Sequence, residues 1–137
     1  MTTIAAAVIE REGKILICRR RSDQAHAGKW EFPGGKLERG EQARAAVVRE
    51  LREELAIEAR VDSEIERYRY EYPGRKPIEL VFFRVTEFDG EPRYDEFAEV
   101  RWADRRDLPA FDFLEGDVEF VRRLAAGHEE GTPAKTQ

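Results

Sequence analysis

Two spacings of apolar residues divide this chain. Residues 3–10 and 15–20 are aliphatic, alanine-rich or β-branched, and Glu10-Arg11-Glu12-Gly13-Lys14 between them is a polar turn, so the two stretches predict a hairpin. A polar loop, 22–29, separates it from a short strand at Trp30-Glu31-Phe32. Residues 59–72 are strand-like, with Tyr68, Tyr70 and Tyr72 alternating onto one face. Across 77–88, Ile78, Leu80 and Phe82 alternate with Val81, Phe83 and Val85. A strand apolar on both faces belongs at the centre of a sheet. A last strand is expected over 100–103. Elsewhere the spacing becomes helical. At about 100° per residue, Val47, Val48, Leu51 and Leu55 fall on one stripe. Val118, Val121, Leu124 and Ala125 do the same in a second helix, 118–126, which Gly127 stops.

The first helix carries more than a core face. Glu50, Glu53 and Glu54 fall on the arc beside its apolar stripe, with only Ala43 and Ala46 for company, a combination expected to leave a shallow groove over the carboxylates. Arg49 can reach Glu53 as an i,i+4 pair. Crowded carboxylates raise one another's pKa unless something positive neutralises them. An all-oxygen donor set without nearby cysteine or histidine suits Mg²⁺ or Mn²⁺. Upstream, Phe32-Pro33-Gly34-Gly35-Lys36 joins two glycines, where a backbone carbonyl or N–H can face a ligand, to a cation at the same mouth. An Arg/Glu run alone is an ordinary solvated face. Its position just after the glycine turn gives it weight.

Composition narrows the class. At 137 residues, with 39% charged and 41% hydrophobic, the chain reads as one globular domain, expected over 1–127, with a polar tail at 128–137 expected to fray. No apolar run approaches the roughly 20 residues of a spanning helix. The start, Met1-Thr2-Thr3-Ile4, lacks the basic region and cleavage site of a secretory signal. A single cysteine, Cys18, allows no internal disulfide and suits a reducing cytoplasm; it reads as a small core residue. A net charge of −5 argues against general nucleic-acid binding. It opposes a phosphate substrate too, unless cations stand between, so the balance predicts a cation requirement. No serine or cysteine nucleophile with a paired base is apparent.

Gly35, five residues, Glu41, seven more, then Arg49-Glu50-Leu51, Glu53-Glu54 and Ile57 resembles the signature of the Nudix hydrolases at every fixed position but one. The segment 28–36 resembles the MutT subgroup more closely than the family at large. The departure is Ala56, where the family usually has a glycine in the left-handed conformation that ends the helix. Either Ala56 takes that conformation or the helix runs on by a residue.

The resemblance implies an α/β (α+β) fold, a mixed sheet sandwiched between helices. It implies Mg²⁺-dependent hydrolysis, with Mn²⁺ as substitute, of a nucleoside diphosphate linked to another group. In MutT-type members this is a nucleoside triphosphate giving monophosphate and pyrophosphate, including oxidised nucleotides such as 8-oxo-dGTP or modified dCTP. It implies Glu53 and Glu54 as metal ligands, joined by the Gly34 or Gly35 carbonyl, Glu50 and Glu99. Glu50 is also the candidate base, Arg49 orients a carboxylate, and Glu41 supports the ligands from behind. From the residues themselves, Lys36 adds a cation at the mouth, and the turn Tyr72-Pro73-Gly74-Arg75 can place a ring to stack on a base with Arg75 in reach; the resemblance implies Arg20 on the nucleotide and Asp117 reading the base. Asp112 and Phe113 are rivals for that last role, and the ordinary role of Asp117 is helix N-cap. Two alternatives stay open: a nucleoside diphosphate sugar hydrolase acting on ADP-ribose, for which Pro73 is suitably placed, and a catalytically silent nucleotide-binding module. Retention of Glu50, Glu53 and Glu54 together speaks against the latter. The expected partner is a small nucleotide, without nucleic acid or membrane, bound by a monomer or homodimer.

Overall fold

β1 (Thr2–Arg11) and β2 (Lys14–Arg19) form the expected hairpin. It closes through Glu12 and Gly13, whose φ values of 53° and 80° are those of a type I′ turn matched to strand twist. The computed structural model describes residues 1–127, and the tail expected to fray lies outside the described residues. After the hairpin come β3 (Trp30–Glu31), β4 (Gly34–Lys36), α1 (Ala43–Leu55), β5 (Glu58–Tyr70), β6 (Ile78–Asp89) and β7 (Glu99–Asp104). Two short 3₁₀ segments, Arg105–Ala110 and Glu115–Asp117, lead into α2 (Val118–Ala126).

β1 organises the mixed sheet. It runs parallel to β6 from Thr2 opposite Ile78 to Ile9 opposite Val85, and β5 lies antiparallel outside β6. Its other edge is shared, since Ile4 to Ala6 pair with β4 whereas Glu10 and Arg11 pair with β2. β2 in turn holds β3 and β7. Alternation along the strands makes two cores. Ala6, Val8, Leu80 and Phe82 face α2, whose Phe120 stacks on Phe82 with ring centroids 3.9 Å apart. Ala5, Ala7, Ile9, Val81, Phe83 and Val85 face α1. β6 is therefore central, with both faces buried, as its alternation requires.

Two inward stripes differ from expectation. On α1 the fully buried residues are Ala46, Val47, Leu51 and Leu55, and Val48 is only partly covered. Small Ala5 and Ala7 on β1 let the helix lie close, so Ala46 packs under it instead of lining a groove above the acids. On α2, Phe120 takes the core position and Val118 is 41% exposed, because stacking on Phe82 fixes the helix rotation.

α1 ends at Leu55 and does not run on. Ala56 adopts the left-handed conformation, φ 59° and ψ 35°, with its N–H directed back to the Arg52 and Leu51 carbonyls. That conformation costs a non-glycine residue about 1–2 kcal/mol. Ala56→Gly is expected to stabilise the fold by about 1 kcal/mol, after the added freedom of the unfolded chain is deducted. The check is a higher denaturant midpoint at unchanged activity. Cys18 is fully buried in β2, and no described helix is long and apolar enough to cross a membrane.

Candidate active site

The glycine turn is where α1 meets the strand backbone. The Ala7 N–H donates to the Pro33 carbonyl at 2.8 Å, and Phe32 is buried against Phe113, so the turn is pinned from both sides. At Gly34, φ is +154° and a Cβ would lie 2.1 Å from the Ala5 carbonyl oxygen, which only glycine escapes. At Gly35 a Cβ would lie 2.5 Å from Glu50 Oε2. The two glycines therefore do different things: the first lets β4 pair with β1, and the second makes room for a carboxylate. Gly35→Ala is expected to fold and to lower kcat roughly tenfold or more by displacing Glu50. Gly34→Ala is expected to lose stable fold, which thermal melting of the two variants distinguishes.

Arg49 ties the acids together. Its Nε and Nη2 donate to Glu41 at 2.8 and 3.0 Å, and its Nη1 to Glu50 at 3.0 Å and Glu53 at 3.2 Å. Nη2 also reaches the Lys36 carbonyl at 3.0 Å. Helical spacing predicts only the Glu53 pair; the rest depends on the turn folding back over the helix. Glu41 accepts the Glu38 N–H as well, and Arg49 foremost holds its carboxyl below the usual range. Glu41 thus acts through Arg49.

Glu54 Oε1 is buried without a hydrogen-bond partner. Burial first, then the charges of Glu50 and Glu31, push its carboxyl up to about 8, with the Gly34 amide opposing and Glu96 adding a little more. Burial also raises the Glu50 pKa, against the pull of Arg49 and with help from Glu53 and Glu41. Glu53 projects outward, its side chain 58% exposed. Among the described residues no three acidic, histidine or cysteine side chains converge as a closed metal cage. The parts still fit a hard cation. Such an ion keeps waters, takes one or two carboxylates and shares itself with phosphate oxygens. A buried carboxylate oxygen without a partner is costly until something positive meets it.

The structure places the remaining expected residues unevenly. Glu99, at the start of β7, is held by Arg19 at 3.8 Å and by Arg101. The acid of that region whose charge acts on Glu54 is Glu96. Arg20 lies at the mouth but is turned to Glu31 Oε1 at 2.9 Å and to the Ala25 carbonyl at 2.7 Å. Lys36 is exposed at the end of β4. Arg75 is exposed in the turn 72–75, its N–H donating to the Tyr72 carbonyl. Tyr72 has its ring against Tyr70 and His26 and its hydroxyl on Gly116. Asp117 is buried to 7% exposure and makes no side-chain cap bond to α2, so capping does not explain its burial. Burial, then Glu31, pushes its carboxyl up to about 8. Asp112 is exposed and paired with Lys29, and Phe113 belongs to the core.

Glu31 is the residue that sequence reasoning missed. On β3, with its side chain only 18% exposed, it carries a charge that raises the pKa of both Glu54 on the acidic helix and Asp117 at the last bend. The available signal was an acid flanked by two aromatics just before the glycine turn. A separate cavity, lined by Glu10, Arg11, Arg60, Glu87 and Phe88 among others, shares no residue with this site.

A helix bordered by acids, packed on a glycine turn in an α/β/α sandwich, supplies the parts of a cation-assisted, phosphate-handling site. The chain belongs to the Nudix family: the NUDIX domain matches residues 1–124. It is 37% identical over 126 residues to the CTP pyrophosphohydrolase of Escherichia coli, covering 92% of this chain and 93% of that one. It is 40% identical over 122 residues to the 8-oxo-dGTP diphosphatase of the same organism, covering 88% and 94%. The solution structure of the E. coli ORF135 protein superposes with a TM-score of 0.82 at 37% identity, covering 92% of this chain and 89% of that one.

Proposed function

We propose that this protein is a cytoplasmic, Mg²⁺-dependent Nudix hydrolase that cleaves a nucleoside triphosphate to the monophosphate and pyrophosphate. The observation that carries the reading is the partnerless, buried Glu54 oxygen beside Glu50, Glu53 and the Gly34-Gly35 turn. Glu53 and Glu54 would hold the cation with a glycine carbonyl of that turn. The further carboxylate would be Glu99, or Glu96, whose charge acts on Glu54 while Glu99 is tied to two arginines. When bound, the cation supplies polarisation of the phosphoryl oxygens and a lowered pKa for the attacking water.

The chain's own groups do the rest. Glu50 accepts the proton of that water on Oε1, since Arg49 holds Oε2. Arg49 fixes the angle of the Glu50 carboxylate, and Arg20 and Lys36 receive phosphate, Arg20 by leaving Glu31. Asp117 reads the base. A cytosine or an oxidised guanine presents both hydrogen-bond donors and acceptors on its pairing edge, and two relatives bear the names of enzymes acting on such nucleotides.

The test is a nucleotide panel with Mg²⁺, scored for pyrophosphate against sugar phosphate. Pyrophosphate is expected, and cleavage that survives exhaustive chelation overturns the reading. Release of sugar phosphate from ADP-ribose would favour the nucleoside diphosphate sugar activity instead. Asp117→Ala is expected to shrink the spread of kcat/KM among bases about tenfold or more, because an unmatched buried polar group discriminates strongly. Equal losses on every base would reduce Asp117 to a structural part.

A further inference from the structure

Tyr68 and Tyr72 meet the same residue from two sides. The Tyr68 hydroxyl donates to the Gly116 carbonyl, and the Gly116 N–H donates to the Tyr72 hydroxyl oxygen at 3.0 Å. Both polar groups of one buried residue are thus taken by phenols from the β5 side of the molecule. Gly116 has no side chain to obstruct them. A Cβ there would lie 3.0 Å from the Tyr72 hydroxyl, 3.2 Å from Leu80 Cδ1 and 3.3 Å from Tyr70 Cδ2. Tyr72 is itself wedged, its ring 4.9 Å from Tyr70 and 5.3 Å from His26. A ring so engaged is a poor platform for a base, and it is well placed as a fixed post.

The next residue is Asp117, in a 3₁₀ turn of only three residues. Its N–H donates to the Leu114 carbonyl at 2.9 Å, and its carboxyl makes no cap bond that would fix the turn from the helix side. The charge of Asp117 is felt at both phenol hydroxyls. We propose that Tyr68 and Tyr72 clamp the Gly116 peptide and thereby set the position of the Asp117 carboxyl, acting as positioning residues for base specificity. The inference rests on the reading of Asp117 as the base-recognising group.

The experiment measures kcat and KM on CTP, GTP, ATP and UTP for Tyr68→Phe, Tyr72→Phe, the double variant and Asp117→Ala, with thermal melting of each. Each phenylalanine keeps the ring and removes one hydrogen bond. Each is expected to raise KM for the preferred nucleotide by about three- to tenfold, the loss falling on KM and not on kcat. The double variant should flatten base preference to the level of Asp117→Ala, and the phenylalanines should change preference no further in an Asp117→Ala background. A double variant that melts normally and keeps wild-type preference, or weakens all four nucleotides equally, overturns the clamp. If the double variant does not fold, Gly116→Ala replaces it, pressing a methyl on the Tyr72 hydroxyl with both hydroxyls present; the same flattening is expected, and intact preference overturns the proposal. Intact preference in Asp117→Ala removes the base-reading role and the clamp together, whereas flattening there but not in the tyrosine variants removes the clamp alone.

Discussion

Glu54→Gln is expected to lower kcat/KM by about 10²–10³-fold while making the cation-free protein more stable at pH 8. The two effects have one source. Glu54 Oε1 has no partner, and the carboxyl stays protonated to about 8 in the fold against an ordinary value of 4.5. Between those values the folded state binds the proton and the unfolded state does not, so unfolding releases it and stability falls as pH rises. The contribution is fully present below the unfolded pKa and is lost by the time pH passes the folded one. Glutamine is neutral throughout and removes that slope. In the wild type, Mg²⁺ should raise the melting temperature more at pH 8 than at pH 5.5, since a carboxylate must shed its proton to bind metal. Glu54→Gln should lose this rise. Asp117, also held up to about 8, adds a slope of the same sign, so Asp117→Asn provides the contrast: a flatter pH profile with the cation response retained. A Glu54→Gln protein still stabilised by Mg²⁺ as the wild type is would remove Glu54 from the metal site.

What the sequence discloses about this site divides along a physical line. Features set by local spacing are legible: the central strand from its two-sided alternation, the helix from its stripe, the acids from their arc, and the glycine turn from its two residues without Cβ. Features set by what another element does are not. The rotation of α1, which buries Ala46 and half-exposes Val48, depends on Ala5 and Ala7 beneath it, and that of α2 depends on Phe82. The influence of Glu31 appears only in the fold, where its charge acts on Glu54 of α1 and on Asp117 at the last bend. The pairing of Glu99 with Arg19 and Arg101 is likewise made by neighbouring strands and does not follow from local spacing. Resemblance supplied a role for Arg20, and the turn after the tyrosine row suggested one for Tyr72, but in the fold Arg20 pairs with Glu31 and Tyr72 with Gly116. Ala56 shows the converse: sequence alone left two outcomes, and Ile57 is buried in the α1 core, which favours ending the helix in a left-handed residue over extending it.

The second large effect is expected at Arg49. Arg49→Lys, which keeps the charge, should cost about 10²-fold in kcat with KM less changed, because misplacing a reacting group by about 1 Å is enough for such a loss. The guanidinium spans Glu41 on one edge, Glu50 and Glu53 on another, and the Lys36 carbonyl between. A lysine ammonium is a compact point charge and cannot bridge carboxylates set so far apart. The acidity of Glu50 follows from the same contact: burial raises its pKa and Arg49 is the foremost influence lowering it. Loosening that contact raises the pKa further, so the carboxylate of Glu50, the base proposed above, is present only at higher pH. The acid limb of the kcat profile should therefore move to higher pH in the variant, with the deficit larger at pH 6 than at pH 9. A uniform loss at all pH values would assign Arg49 to geometry alone, and a kcat near wild type would mean that the base is oriented by other contacts. Glu41→Gln offers the complement. It leaves Glu50 and its arginine in place and removes a charge that raises the Glu50 pKa, so its profile should shift slightly the opposite way, to lower pH.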